Sequence, residues 1–147
     1  MTQPLIIDCH GHYTTAPKSL ENWRNQQIAG IKDPTMAPKV SDLKISDDEL
    51  IETIETNQLR LMKERGSDLT IFSPRASFMA HHIGDFNVSS TWAAICNELC
   101  YRVAQLFPQH FIGAAMLPQS PGVDPATCIP ELVKCVEQYG NVGINLN

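Results

Sequence analysis

A chain of 147 residues, 43% hydrophobic and 18% charged, has the length and balance of one ordinary globular domain, which excludes a disordered or fibrous chain. A formal net charge of −5 and a pI near 5.4 leave no basic stripe to neutralise a phosphate backbone, so nucleic acid is not an expected partner and an acidic substrate must be met by locally placed cations. No run of ~18 apolar residues spans a bilayer, and the Met-Thr-Gln-Pro start lacks the basic and apolar regions of a secretory signal, so the expected location is the cytoplasm with no membrane partner.

Leu5-Ile6-Ile7 is a short β-branched run that stops at Asp8, the pattern of a buried parallel strand. Residues 13–45 then turn to Pro, Lys, Asn, Gln and Gly, with Trp23 and Ile28 as isolated apolar points. Such a composition predicts a long insertion loop, of the kind that serves as a lid or binding loop, with Trp23 as its anchor. Ser46-Asp47-Asp48-Glu49 has the pattern of a capping box, and Leu50, Ile51, Ile54, Leu61 and Met62 predict a helix from Asp47 to Arg65 that stops at Gly66. A second strand covers Asp68 to Ser73, followed by Pro74-Arg75-Ala76-Ser77 and a second loop from Phe78 to Val88.

Trp92, Ile95, Cys96, Leu99, Val103, Leu106 and Phe107 follow helical spacing almost without a break. Phe111 to Leu117 is a third strand. Asp124-Pro125 supplies an N-cap and first-turn proline, Ile129, Leu132, Val133 and Val136 form an apolar stripe, Gly140 is a C-cap glycine, and Val142 to Leu146 is a fourth strand. Five cysteines with no Cys-x-x-Cys pair fit reduced thiols, and Cys96, Cys100, Cys128 and Cys135 fall in helices as small buried side chains.

The order β-α-β-α-β-α-β calls for a parallel sheet covered by helices. A doubly wound sheet and a barrel both satisfy it. The barrel is favoured because no Gly-x-Gly-x-x-Gly turn follows the first strand, and because polar residues gather after successive strands, where barrel active sites form. Four strands make half of a (β/α)8 barrel of ~250 residues, so residues 1–147 are expected to form the N-terminal half of a single barrel domain. A half-barrel has open sheet edges, which predict association with another copy of the chain; a non-catalytic fragment that associates through those edges is the rival to an enzyme.

The chemistry centres on Asp8-Cys9-His10-Gly11-His12. Strand alternation puts His10 and His12 on one face, ~6.6 Å apart along an extended chain, where two imidazoles can lean onto one cation. The alternation also puts Asp8 on that face, where it could hold an imidazole by its second ring nitrogen or complete a shell around the metal. His-x-His alone is a weak signal, and the alternative is two histidines satisfied by main-chain carbonyls. Its position at the end of the first strand of a βα repeat is what favours the metal.

Ile6-Ile7-Asp8-Cys9-His10-Gly11-His12 resembles the opening strand of the amidohydrolase superfamily, and the long insertion after it, Phe72-Ser73-Pro74-Arg75-Ala76-Ser77 and Gly143-Ile144-Asn145-Leu146-Asn147 resemble the branch of metal-dependent hydratases and decarboxylases of aromatic-catabolic acids. The resemblance implies zinc or another divalent metal on His10 and His12. It also implies a third histidine, an acidic ligand and a catalytic acid/base from later strands, beyond Asn147. The activity it implies is hydration of the C=C bond of a tricarboxylic acid from protocatechuate or gallate breakdown; decarboxylation or hydrolysis is the alternative.

Three further residues are candidates for substrate binding by their place at the C-terminal ends of strands. Arg75 after the second strand has a guanidinium fork that matches a carboxylate, against the alternative of a surface ion pair. Ser77 could add a hydroxyl to the same carboxylate, and Asn147 could orient substrate or cap a loop. Of His81 and His82, adjacent on a loop, at most one points inward. His110 lies at the opposite end of the barrel, where stability is the expected role.

Overall fold

The computed structural model describes residues 4–75 and 82–146. Strand β1 (Ile7–Tyr13) is followed by helix α1 (Lys18–Lys32), 3-10 turns at Pro34–Met36 and Val40–Asp42, and helix α2 (Asp47–Thr53). A π-helical stretch, Ile54–Leu59, joins α2 to α3 (Arg60–Arg65). Then come β2 (Leu69–Pro74), α4 (Phe86–Leu106), β3 (Phe111–Met116), a 3-10 turn at Pro125–Cys128, α5 (Ile129–Glu137) and β4 (Gly143–Asn145).

All strand pairs are parallel and the sheet order is β1-β2-β3-β4. A doubly wound sheet reverses its order at a switch point; a sheet that adds each new strand beside the last is the path of a (β/α) barrel. The four strands therefore form a half-barrel. Its packed layer lies between sheet and helices, with Trp92, Phe72, Leu50, Ile54 and Val103 almost wholly removed from solvent. The rings of Tyr13, Phe72 and Phe111 run across β1, β2 and β3 with centroids 5.3 and 4.9 Å apart.

The helix from Asp47 begins as its capping box requires. Ser46 Oγ accepts from the Glu49 N–H at 3.2 Å, Glu49 Oε2 accepts from the Ser46 N–H at 2.9 Å, and Gly66 closes the far end at φ 69°. Residues 13–45, read as a loop from composition, hold the fifteen-residue helix α1. Its buried residues are Leu20, Trp23 and Arg24, one narrow stripe at i, i+3, i+4 in an otherwise polar stretch. Trp23 stacks on Trp92 at 6.4 Å and 6°, and the Arg24 guanidinium lies 4.8 Å from the centre of the Trp92 ring. This helix is held by tertiary stacking that composition does not report.

Asp124 caps as expected, accepting from the Ala126 N–H at 2.9 Å, but the first turn is 3-10 and α5 starts at Ile129. The stripe expected to face the core is exposed at Ile129, Val133 and Val136, while Cys135 is buried. Exposed large apolar residues gather there, at Val142, Ile144 and Leu146, and along Leu5, Ile6 and Ile7. Both groups flank the outer strands, where a barrel's remaining strands and helices add. The five cysteines are free thiols; Cys96, Cys100 and Cys135 are buried and Cys9 is exposed.

Candidate metal centre at the end of the first strand

β1 pairs with β2 from Ile7↔Leu69 to Tyr13↔Pro74, but the register slips between Asp8 and Gly11: Asp8 stands opposite Thr70, and Gly11 opposite Phe72. Three steps on β1 match two on β2, the count of a β-bulge. Alternation therefore changes phase between Asp8 and Gly11, while Asp8, His10 and His12 line one recess. Gly11 has no room for a side chain, because a Cβ there would stand 2.1 Å from the Thr70 Cγ2 methyl.

Beside this slip the two imidazoles meet edge to face, with ring centroids 4.6 Å apart and Nε2 atoms 3.1 Å apart. Two nitrogens bound to one zinc stand roughly 3.4 Å apart at a tetrahedral angle and about 2.9 Å at a right angle. The observed separation lies between these values, so the pair fits two ligands of a single divalent ion. Among the described residues no group of three or more His, Cys, Asp and Glu side chains could hold a metal.

Two residues that sequence reasoning passed over support the pair. Ser73, opposite His12 on β2 and 4% exposed, places its Oγ 2.7 Å from His12 Nδ1 and 3.2 Å from the Gly11 carbonyl. Gln58, in the π-helical stretch, donates through Nε2 to the His12 carbonyl at 2.9 Å and to Thr14 Oγ1 at 3.3 Å, while its Oε1 accepts from the Thr15 hydroxyl. A single π-turn inserts one extra residue per hydrogen-bonded ring and rotates the side chains that follow; such turns recur at functional sites. The signal for Ser73 was its place at a strand's C-terminal end beside Arg75. Gln58 had no local signal, since one glutamine on a helix is ordinarily a solvated side chain.

Among the described residues Asp8 makes no hydrogen bond to an imidazole nitrogen; its Oδ1 accepts from the His10 N–H at 3.0 Å, tying the bulge. The bulge is the physical reason for the departure from simple alternation. Arg75 follows β2, is exposed, and lines a recess of about 110 Å³ with Thr14, Pro17, Glu21 and Trp92. Thr14 also borders a recess of about 350 Å³ beside the histidines, where Gly11, Gln58, Met62 and Phe72 contribute. A larger groove of about 440 Å³, between Val40–Ser46 and α4, shares no residue with the pair. Ser77, His81 and Asn147 lie outside the described residues. His82 is exposed, Asn145 is half-buried on β4, and His110 has Nδ1 3.4 Å from the Asp68 carbonyl.

Directly after His12, Tyr13 turns into the core. Burial pushes its phenol up to about 12, and the hydroxyl lies 2.7 Å from Thr53 Oγ1. Thr53 gives its own proton to the Leu50 carbonyl at 2.9 Å, so Tyr13 is the donor. This bond fastens the end of β1 to α2 just below the histidines. No helix among the described residues is long and apolar enough to cross a membrane.

Residues 7–147 match the family model described as Amidohydrolase. The chain is 57% identical over 143 residues to 2-keto-4-carboxy-3-hexenedioate hydratase of Sphingobium sp. (strain NBRC 103272 / SYK-6), covering 97% of this chain and 41% of that protein. It superposes on the crystal structure of 4-oxalomesaconate hydratase from Rhodopseudomonas palustris with a TM-score of 0.91 and 76% identity, again over 97% of this chain and 41% of that one. A dihydroxybenzoic acid decarboxylase from Polaromonas sp. JS666, solved with manganese and 2-nitroresorcinol bound, matches with a TM-score of 0.62 and 25% identity over 99% of this chain and 39% of that one. The chain thus spans about two fifths of the length of these relatives. With its parallel half-barrel and paired histidines at the end of β1, it belongs to the amidohydrolase family.

Proposed function

We propose that this chain contributes two metal ligands, His10 and His12, to a zinc-dependent hydratase that adds water to the C=C bond of 4-oxalomesaconate. The observation that carries the reading is the convergence of the two Nε2 atoms to 3.1 Å, in a chain 76% identical to a hydratase of that name. A bound divalent metal supplies Lewis acidity, which lowers the pKa of water and draws electron density from a substrate oxygen.

The substrate named for the Sphingobium relative is an unsaturated keto acid with three carboxylates, its C3=C4 bond conjugated to the C2 ketone. Adding hydroxide at C4 sends the electron pair toward the ketone oxygen as an enolate, and a proton then returns to C3. Arg75 pairs with a carboxylate at the mouth of its own recess, which meets the one beside the histidines at Thr14, Ser77 adds a hydroxyl to the same group, and Asn147 orients the substrate. Asp8 steadies the backbone of His10. The acid/base that moves the proton comes from outside residues 1–147, and homo-oligomerisation in the cytoplasm completes the reading.

The test is an assay of the protein at the length of its hydratase relatives, metal-depleted and then supplied with Zn²⁺. Loss of the substrate's conjugated absorbance on metal addition, with gain of one water in the product mass, is the expected result. No loss under either condition refutes the hydratase. Release of CO2 without gain of water would establish the decarboxylase instead, a reading motivated by the similarity to the Polaromonas enzyme.

A further inference from the structure

Ser73 is the residue through which the second strand acts on the first. We propose that Ser73 is a positioning residue for the metal centre: it holds His12 in the Nδ1–H tautomer and so presents the Nε2 lone pair to the ion. The inference rests on the metal reading above.

A serine hydroxyl has one proton to give, and a carbonyl oxygen can only accept. Ser73 Oγ is 3.2 Å from the Gly11 carbonyl, a contact that uses the serine proton. The remaining contact, 2.7 Å to His12 Nδ1, then has the ring as donor and Oγ as acceptor. A neutral imidazole with its proton on Nδ1 carries its lone pair on Nε2. That nitrogen is the one that faces His10 Nε2 at 3.1 Å.

Position reinforces the chemistry. His12 and Ser73 are register partners on adjacent parallel strands, so backbone pairing fixes the distance between their Cα atoms. Ser73 is buried, which shelters its bonds from competing water. Gly11 and His12, the acceptor and donor of this bridge, are consecutive residues at the end of the bulge. One hydroxyl therefore reads both the path of the backbone and the orientation of the ring. Aspartate, the expected partner for a ligating histidine, is diverted by the register slip to the His10 N–H.

The experiment uses the protein at the length of its hydratase relatives, as wild type, S73A and S73T. Affinities for Zn²⁺ and for Mn²⁺ are measured by competition with a chromophoric chelator, and the His12 tautomer by ¹⁵N chemical shifts of the ring. Wild type should show the Nδ1–H form, S73A should lose about tenfold to a hundredfold in affinity for both ions and give a mixture of tautomers, and S73T, which keeps the hydroxyl, should recover most of the loss. Thermal unfolding of the metal-free proteins separates this from general damage: the affinity loss should exceed any change that an equal fall in stability produces in a core variant such as V103A. Wild-type binding with S73A affinity within twofold and an unchanged ¹⁵N pattern overturns the role of Ser73 alone. Failure of wild type to bind either ion overturns the metal reading and this inference together.

Discussion

Replacing Gly11 by alanine tests whether the bulge that joins the two histidines is held by a steric contact. Gly11 is not among the glycines with positive φ, which are Gly66, Gly84, Gly122 and Gly140, so an alanine backbone is allowed there. What forbids alanine is the neighbour. Its Cβ would stand 2.1 Å from Thr70 Cγ2, more than an ångström inside ordinary contact. Thr70 cannot swing away cheaply: it is 5% exposed, its Oγ1 contacts Met62 Sδ at 3.4 Å, and its N–H donates to the His110 carbonyl at 2.9 Å. Overpacking of this kind costs about 1–3 kcal/mol. The T70S substitution removes the offending methyl for about 1 kcal/mol and leaves the new Cβ 3.3 Å from the Ile71 carbonyl and 3.6 Å from the Cβ at position 70.

G11A should therefore destabilise strongly in the wild type and weakly in the T70S background, with a coupling of about 1–3 kcal/mol in a double-mutant cycle. Urea unfolding of the four metal-free proteins measures it. Metal affinity gives a second reading, because a strand end pushed outward changes the spacing of the two Nε2 atoms. A loss of about 2 kcal/mol corresponds to roughly thirtyfold in affinity. An equal G11A penalty in the wild-type and T70S backgrounds would refute the steric argument and move the cost into the backbone itself.

Asn97, 1% exposed on α4, donates to the Met116 carbonyl at 2.9 Å and to Glu131 at 2.8 Å and accepts from the Met116 N–H at 2.8 Å. N97A strands a backbone donor, an acceptor and a carboxylate, so urea unfolding should show a loss of about 2–4 kcal/mol; a near-neutral result would mean that water replaces the amide. Cys135 has its thiol pushed up to about 12 by burial, then by the charge of Glu131 and its hydrogen bond. Between about pH 9 and 12 the folded protein then holds a proton that the unfolded chain has lost, so stability falls as pH rises through that window and is unaffected below it. C135A should flatten this fall in pH-dependent unfolding, and alkylation at pH 8 should modify exposed Cys9 while sparing Cys135.

The parts of the fold legible in the sequence are those that a local period encodes. Trp92 through Phe107 repeat at helical spacing, Ser46 and Glu49 cap reciprocally, and the apolar runs around Ile7, Phe72 and Ala114 are strands in the structure. Helix α1 escaped because three buried residues in fifteen make no visible period, and its stability comes from Trp92, some seventy positions away. At the site, the two-residue spacing of His10 and His12 marked them as a candidate pair, and their rings meet in the structure. The register slip after Asp8 was not legible, since a bulge is a property of two strands in register, and one strand's sequence carries only its alternation.

The same distinction separates the two histidines from their supports. His10 and His12 lie two residues apart on β1, so their nearness in the chain is visible at once. Their supports lie far along the chain: Ser73 is 61 residues from His12, and Gln58 is 46 residues away on a π-helical turn. Gln58 holds the His12 carbonyl, Ser73 holds its ring, and Thr53 holds the phenol of the next residue, so three sides of the strand end are fixed by β2 and the α2–α3 helix. His12 is thereby fixed by contacts within the half-barrel, and the exposed His10 ring meets it at 3.1 Å. A catalytic zinc takes three protein ligands, and two imidazoles alone bind weakly however well they are placed. The supports set the orientation of the His12 ring, and so the direction from which His10 Nε2 is met.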